Sequence, residues 1–286
     1  MDELAERFEE RRTRLRAVAY RILGSLSEAD DAVQEAWLRL SRSDADAIDS
    51  LDAWLTTVVA RISLNMLRAR RTRREVHVPE PIIDRAGGID PEHEALLADS
   101  VGLALLVVLE TLTPSERLAY VLHDMFSVAF DEIGAILDRS PGAARQLASR
   151  GRRRLRGADM TPDADPAAQQ EVVEAFLAAA RDGDFDALLV VLDPDIVQRV
   201  DTGSGTIVEV RGAENVARSA TAASQLGLVA RPALVNGTPG WVALLEGRVF
   251  SIGALTVRNG RITTMDILLD PARLARLDLA ASTNPD

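Results

Sequence analysis

Apolar residues return every three or four positions between residues 27 and 41, at Ala29, Val33, Ala36, Trp37 and Leu40. That period predicts one buried helix face, and Ser27 with Asp30 offers a capping-box start. Glu28, Asp31, Gln34 and Glu35 occupy the opposite face. A second helix is predicted from Leu51 to about Arg70, with Leu51, Leu55, Val58, Ile62 and Met66 as its apolar stripe. Thr57, Arg61, Asn65 and Arg68 line another face of it at the same period. Thr113, Pro114 and Glu116 open a further helix with a cap, a first-position proline and a capping-box acid. AFDEIGAILDRS then makes a short amphipathic helix through Phe130, Ile133 and Leu137. Ser140 and Pro141 open the next helix, in which Ala144, Ala148, Gly151 and Leu155 form a narrow stripe of mostly small residues. These last two helices form a helix-turn-helix pattern, and Arg145, Gln146, Ser149 and Arg153 face outward from the second.

The pattern changes after residue 166. AAQQEVVEAFLAAAR and DGDFDALLVVLDPD predict two helices, followed by short strands near 196–202 and 206–210 and a helix over GAENVARSATAASQL. VARPALVN, GWVALLEG and VFSIGALTV predict longer strands, Asn259-Gly260 a hairpin tip, ITTMDILLD the return strand and PARLARL a closing helix. Two stretches rich in turn residues divide the chain, VHVPEPIIDRAGGIDPE and GADMTPDADP. The expected organisation is therefore helical regions at 1–75 and 93–157, linkers at 76–92 and 158–166, and an α+β domain at 167–280.

Charge sharpens this picture. The chain of 286 residues carries a formal charge of −11, yet RARRTRR (68–74) and SRGRRRLRG (149–157) concentrate arginine. All basic residues are arginine, as G+C-rich coding would produce, so placement is informative and abundance is not. Net acidity argues against indiscriminate coating of nucleic acid or membrane, leaving local anion contacts. The absence of cysteine excludes disulfides, thiolate metal sites and cysteine nucleophiles. MDELAERFEERR lacks the apolar core of a signal peptide, and the longest apolar run, Leu103 to Leu109, is too short to span a bilayer. A cytoplasmic protein without membrane contact is expected. No metal or other cofactor is called for.

The second helix of a helix-turn-helix enters the DNA major groove. Arginine and glutamine read guanine and adenine edges there, and arginines at the helix end meet phosphates. Three stretches, LRAVAYRILGSLSEADDAVQEAWLRL (15–40), AWLTTVVARISLNMLRARRTRRE (53–75) and LTPSERLAYVLHDMFSVAFDEIGAILDRSPGAARQLASRGRRRLR (112–156), occur in the order found in bacterial RNA polymerase sigma factors of the extracytoplasmic-function (ECF) group, which the first 156 residues resemble. The resemblance implies core polymerase and promoter DNA as partners. It implies docking on polymerase through Asp30, Asp31, Gln34 and Glu35. It assigns the −10 element to Thr57, Arg61, Asn65, Arg68 and Arg71, with SRSDADAIDSLD as the loop that selects a flipped base. It assigns the −35 element to Arg145, Gln146, Ser149, Arg150 and Arg153. Three positions depart from the common pattern. Asn65 stands where aspartate is frequent, and Ala144 and Gly151 are smaller than usual, which predicts looser packing of the recognition helix.

Residues 167–278 resemble SnoaL-like domains, in which helices and a curved antiparallel sheet form a cone around a pocket, and VPEP (78–81) resembles a linker motif of the sigma subgroup carrying such a domain. The expected fold is thus multidomain: two all-α sigma domains, the second with the helix-turn-helix, and a C-terminal α+β SnoaL-like cone. In that subgroup the appended domain regulates the factor in place of a separate anti-sigma protein. Arg199, Asp201 and Asp266 are candidate pocket groups for a small-molecule ligand. All three histidines, His77, His93 and His123, precede this domain, which weakens an enzyme reading. The alternatives are a ligand-responsive helix-turn-helix repressor, which leaves the acidic DDAVQE face unexplained, and a SnoaL-like enzyme. An acidic C-terminal domain beside two arginine clusters offers electrostatic shielding as a means of control.

Overall fold

The computed structural model describes residues 2–44, 48–73, 79–85, 106, 109–155, 165–204, 207–275 and 277. The Gly-Gly part of the first expected linker, most of the second, and the tip of the SRSDADAIDSLD loop lie outside these residues. The chain divides into two units.

The first unit holds six helices among its described residues. These are α1 (Asp2–Leu23), α2 (Leu26–Leu40), α3 (Leu51–Arg73), α4 (Pro114–Tyr120), α5 (Phe130–Leu137) and α6 (Pro141–Leu155), with a π-helical turn, Val121–Met125, following α4. Helices α1, α2 and α3 pack on one another, and α3 also meets α4 and α5. That double engagement explains a difference from the expected pattern. The buried stripe of α3 runs through Leu55, Val59, Ile62, Leu64 and Leu67, while Val58 and Met66 are only partly covered. Each fully buried leucine or isoleucine contributes roughly 1.5–3 kcal/mol.

Helix α2 starts two residues earlier than a cap at Ser27 would place it. Ser25, not Ser27, is the N-cap and accepts the Glu28 amide at 3.3 Å. A distant residue completes this cap. Glu80 Oε2 accepts hydrogen bonds from Ser25 Oγ at 2.9 Å and from the Leu26 amide at 3.0 Å. The Glu80 backbone is fixed in turn, its amide donating to Gly24 O at 2.7 Å and its carbonyl accepting Tyr20 OH at 2.6 Å.

The second unit contains α7 (Pro166–Asp182), α8 (Phe185–Val191), α9 (Ala213–Ser224), α10 (Pro271–Leu274) and a seven-stranded sheet. Its strands are β1 (Ile83–Arg85), β2 (Leu192–Asp201), β3 (Ile207–Arg211), β4 (Val229–Val235), β5 (Thr238–Leu245), β6 (Arg248–Arg258) and β7 (Arg261–Leu268), in the order β1-β4-β5-β6-β7-β2-β3. Neighbours are antiparallel except β2 and β7, which run parallel. Asn259-Gly260 forms the predicted hairpin tip, with φ of 51° and 70°. The core joins Val173 and Phe176 of α7, Leu188 of α8 and Val216 of α9 to Trp241, Leu255 and Met265 of the sheet. Gly253 makes room for the indole, since a Cβ there would lie 2.1 Å from Trp241 Cζ2.

Strand β1 comes from within the segment read as a linker. Ile83 to Arg85 pair with Val235 to Ala233, and Asn236 anchors the entry. Its Oδ1 accepts the Ile82 amide at 2.9 Å and its own amide donates to Ile82 O at 2.7 Å.

Candidate nucleic-acid interface

Thr113 and Glu116 form the full capping box expected of α4, the Thr113 amide donating to Glu116 Oε2 at 3.1 Å and the Glu116 amide to Thr113 Oγ1 at 3.3 Å. The turn between α5 and α6 is tight. Asp138 takes the left-handed conformation, φ 54°, and a Cβ on Gly134 would come within 2.8 Å of Arg139 O. Ser140 Oγ accepts the Ala143 amide at 3.2 Å at the start of α6. Ala144, Ala148, Gly151 and Leu155 are buried, as their spacing predicted. Gly151 does not loosen the packing. A Cβ there would sit 3.3 Å from Tyr120 Cβ, so the glycine lets α6 lie close against α4.

On the outward side of α6, Arg145 and Gln146 are exposed and Ser149 is half-buried. The Arg145 guanidinium carbon stands 5.1 Å from the centre of the Phe130 ring, a cation–π contact with the first residue of α5. The arginine run that follows is mostly engaged. Arg150 Nε donates to Glu116 Oε1 at 3.1 Å, Arg154 Nη1 to Glu116 Oε2 at 2.8 Å, and Arg152 pairs with Asp124 at 2.7 Å. Arg153 is exposed with no such partner among the described residues. Burial alone would raise the Glu116 carboxyl. Hydrogen bonds from the Thr113 backbone and side chain and from Arg150, with the Arg154 charge, instead hold it below its ordinary value. Glu116 therefore fastens α6 to α4, a role the capping signature alone could not reveal.

Along α3, Arg61, Asn65, Arg68 and Arg71 are exposed and Thr57 is half-buried, so the five share the outward side. Arg61 Nη2 donates to Ala135 O of α5 at 2.8 Å. Arg70 behaves differently from its neighbours in the same cluster. It is buried, donates from Nη1 to Leu23 O at 2.8 Å and pairs with Glu28, thereby closing the C-terminus of α1. On α2, Asp31 and Gln34 are exposed without a side-chain partner among the described residues. Asp30 is tied to Arg16 at 2.7 Å, and Glu35 to Arg39 at 2.9 Å.

In the second unit Arg199 Nη1 donates to Asp266 Oδ1 at 3.0 Å across the parallel β2/β7 pair. Strand alternation turns Asp266 away from Met265, whose side chain joins the core with α7, α8 and α9. Burial raises the Asp266 carboxyl above its ordinary value despite the opposing Arg199 charge and hydrogen bond. Asp201 pairs with Arg273 of α10, and its Oδ1 accepts the Gly203 amide at 3.0 Å. Among the described residues no group of three or more His, Asp or Glu side chains is arranged to hold a metal ion, and no helix is long and apolar enough to cross a membrane.

A helix-turn-helix with an outward basic and amide face, preceded by a three-helix group with its own basic stripe, is the arrangement of a DNA-binding protein. Residues 7–73 match the Sigma-70 region 2 family and residues 102–155 match Sigma-70, region 4. The chain is 39% identical to the ECF RNA polymerase sigma factor SigJ of Mycobacterium tuberculosis, over 92% of this chain and 91% of that one. It is 34% identical to the probable ECF RNA polymerase sigma factor SigI of the same species, over 90% of each. The crystal structure of M. tuberculosis SigJ matches with a TM-score of 0.77 at 35% identity, covering 95% of this chain and 98% of that one. The chain belongs to the ECF RNA polymerase sigma factors, which bind core polymerase and promoter DNA and direct promoter-specific initiation of transcription.

Proposed function

We propose that the exposed stripes of three helices divide the work of this sigma factor. Asp31 and Gln34, with Asp30 and Glu35, form the polymerase-docking face of α2. Thr57, Arg61, Asn65, Arg68 and Arg71 of α3 meet the −10 element. Arg145 and Gln146, supported by Ser149, Arg150 and Arg153, meet the −35 element from α6. The observation that carries this reading is α6 itself, where the buried Ala144, Ala148, Gly151 and Leu155 leave Arg145, Gln146 and Arg153 outward. The second unit modulates the factor in cis, in the cytoplasm, without a separate anti-sigma protein. We assign Arg199, Asp201 and Asp266 to holding β2 in place, because each is already committed to an ion pair.

Binding to purified core polymerase tests the docking face. The wild type should bind, and the Asp31→Arg, Glu35→Arg double variant should lose binding. Equal binding of both would overturn the assignment. Removing the residues after about Gly157 should change promoter-specific transcription by the holoenzyme, and an unchanged transcript level would rule out modulation in cis.

A further inference from the structure

A cavity of about 400 Å³ opens within the first unit, between the last turns of α3 and the start of α4. Arg70, Arg71, Arg117 and Arg154 line it, with Glu110 and Thr113. Arg70, Arg117 and Arg154 have carboxylate partners in Glu28, Glu110 and Glu116. Of these acids only Glu110 belongs to the lining, and Glu116 is shared with Arg150. Arg71 is exposed and has no ion-pair partner among the described residues. The cavity wall therefore carries more guanidinium than carboxylate.

Arg117 adds its charge from behind this wall, its side chain being 2% exposed and its Nε closed to solvent. The lining includes no aromatic ring on which a base could stack. Guanidinium forks instead match the paired oxygens of phosphate groups, and the volume suits a small ligand.

We propose that this cavity binds a small free polyphosphate anion of the pyrophosphate type. Its oxygens would take donors from Arg71 and Arg154 and meet the positive wall at Arg70 and Arg117. The lining comes from α3 on one side and from Glu110, the start of α4 and α6 on the other. A bound anion would therefore stabilise the packing of these two sets of helices, and any state that separates them would release it. Arg71 also lies on the stripe assigned to the −10 element, so the anion would compete with DNA there. That consequence rests on the promoter reading above, whereas binding of the anion does not.

The test is calorimetric titration of the full-length protein with inorganic pyrophosphate at constant ionic strength. Saturable one-to-one binding is expected, accompanied by a rise in Tm. R154Q and R71Q should each raise the Kd by about tenfold, the loss of one charge-assisted contact. R145Q, outside the cavity, should leave Kd unchanged. Absence of saturable binding would overturn the proposal. So would equal weakening by R145Q and R154Q, which would indicate diffuse attraction, or binding of a short single-stranded oligonucleotide without binding of pyrophosphate.

Discussion

The arginine run on α6 and the one ending α3 have similar composition, but they meet different surroundings. On α6, Arg150 and Arg154 converge on Glu116 and Arg152 reaches Asp124, so the cluster clamps the helix to its support. On α3, Arg70 turns inward to Leu23 and Glu28 while Arg68 and Arg71 stay exposed. One cluster fixes the angle of a reading helix, and the other is split by helical period between structure and surface. Density of charge therefore does not identify the residues free for DNA. The acceptors across the interface do.

Variants can break or sharpen that contrast. The largest effect belongs to an arginine that neither cluster contains. Arg199→Met strands the buried Asp266 carboxylate and should cost about 3–5 kcal/mol. Asp266 is raised in the fold, so its protonated form favours folding at low pH and that contribution disappears as pH rises through the folded value. Melting of this variant should worsen as pH rises above the ordinary aspartate range. A variant as stable as the wild type on both sides of that range would show the pair to be dispensable.

Glu116→Gln should cost about 1–2 kcal/mol, since it removes the charge shared by Arg150 and Arg154 but keeps the shape of the cap. The sign of its pH dependence is opposite. A lowered carboxyl stabilises above the ordinary glutamate range and loses that contribution as pH falls through its folded value. The wild type should therefore weaken in acid more than the variant, and superimposable acid limbs would remove Glu116 from the clamp.

On DNA, Arg145→Gln should relax base preference in the −35 element at a cost of about 1–3 kcal/mol for the preferred sequence. Arg153→Gln should weaken all sequences alike and lower the salt slope by about 0.9. Promoter-binding assays with the holoenzyme at several salt concentrations separate the two. An identical pattern for both variants would mean that α6 makes phosphate contacts alone. Gly142→Ala should have the smallest effect. A Cβ there meets nothing within 4 Å. The gain in helix propensity is about 0.5–1 kcal/mol, and a lowered Tm would reveal an obstruction at the turn.

Local periodicity was legible wherever a helix has a single buried side. The stripe Ala144, Ala148, Gly151 and Leu155 could be read from spacing, and so could the Thr113–Glu116 box and the Asn259-Gly260 turn. Helix α3 was harder because neighbours on several sides bury it through Val59 and Leu67. Features made by distant partners left no local trace. Asn236 meets Ile82 across 154 positions, and no pattern within VPEPIIDR distinguishes a three-residue edge strand from a linker. Which arginines turn inward depends on the position of Glu28, Glu110, Glu116 and Asp124 in the folded unit.

The Glu80 cap has a consequence for the order in which the protein is made. The first turn of α2 is closed by a carboxylate 54 positions beyond Leu26 in the chain. During synthesis α1, α2 and α3 are all translated before that residue emerges, because chains fold from the N-terminus as they grow. The acidic helix must therefore wait, partly uncapped, until the ribosome has released Glu80. A pause in translation before Glu80 has left the ribosome would prolong the interval, and one after its release would let the helix settle before the helix-turn-helix emerges.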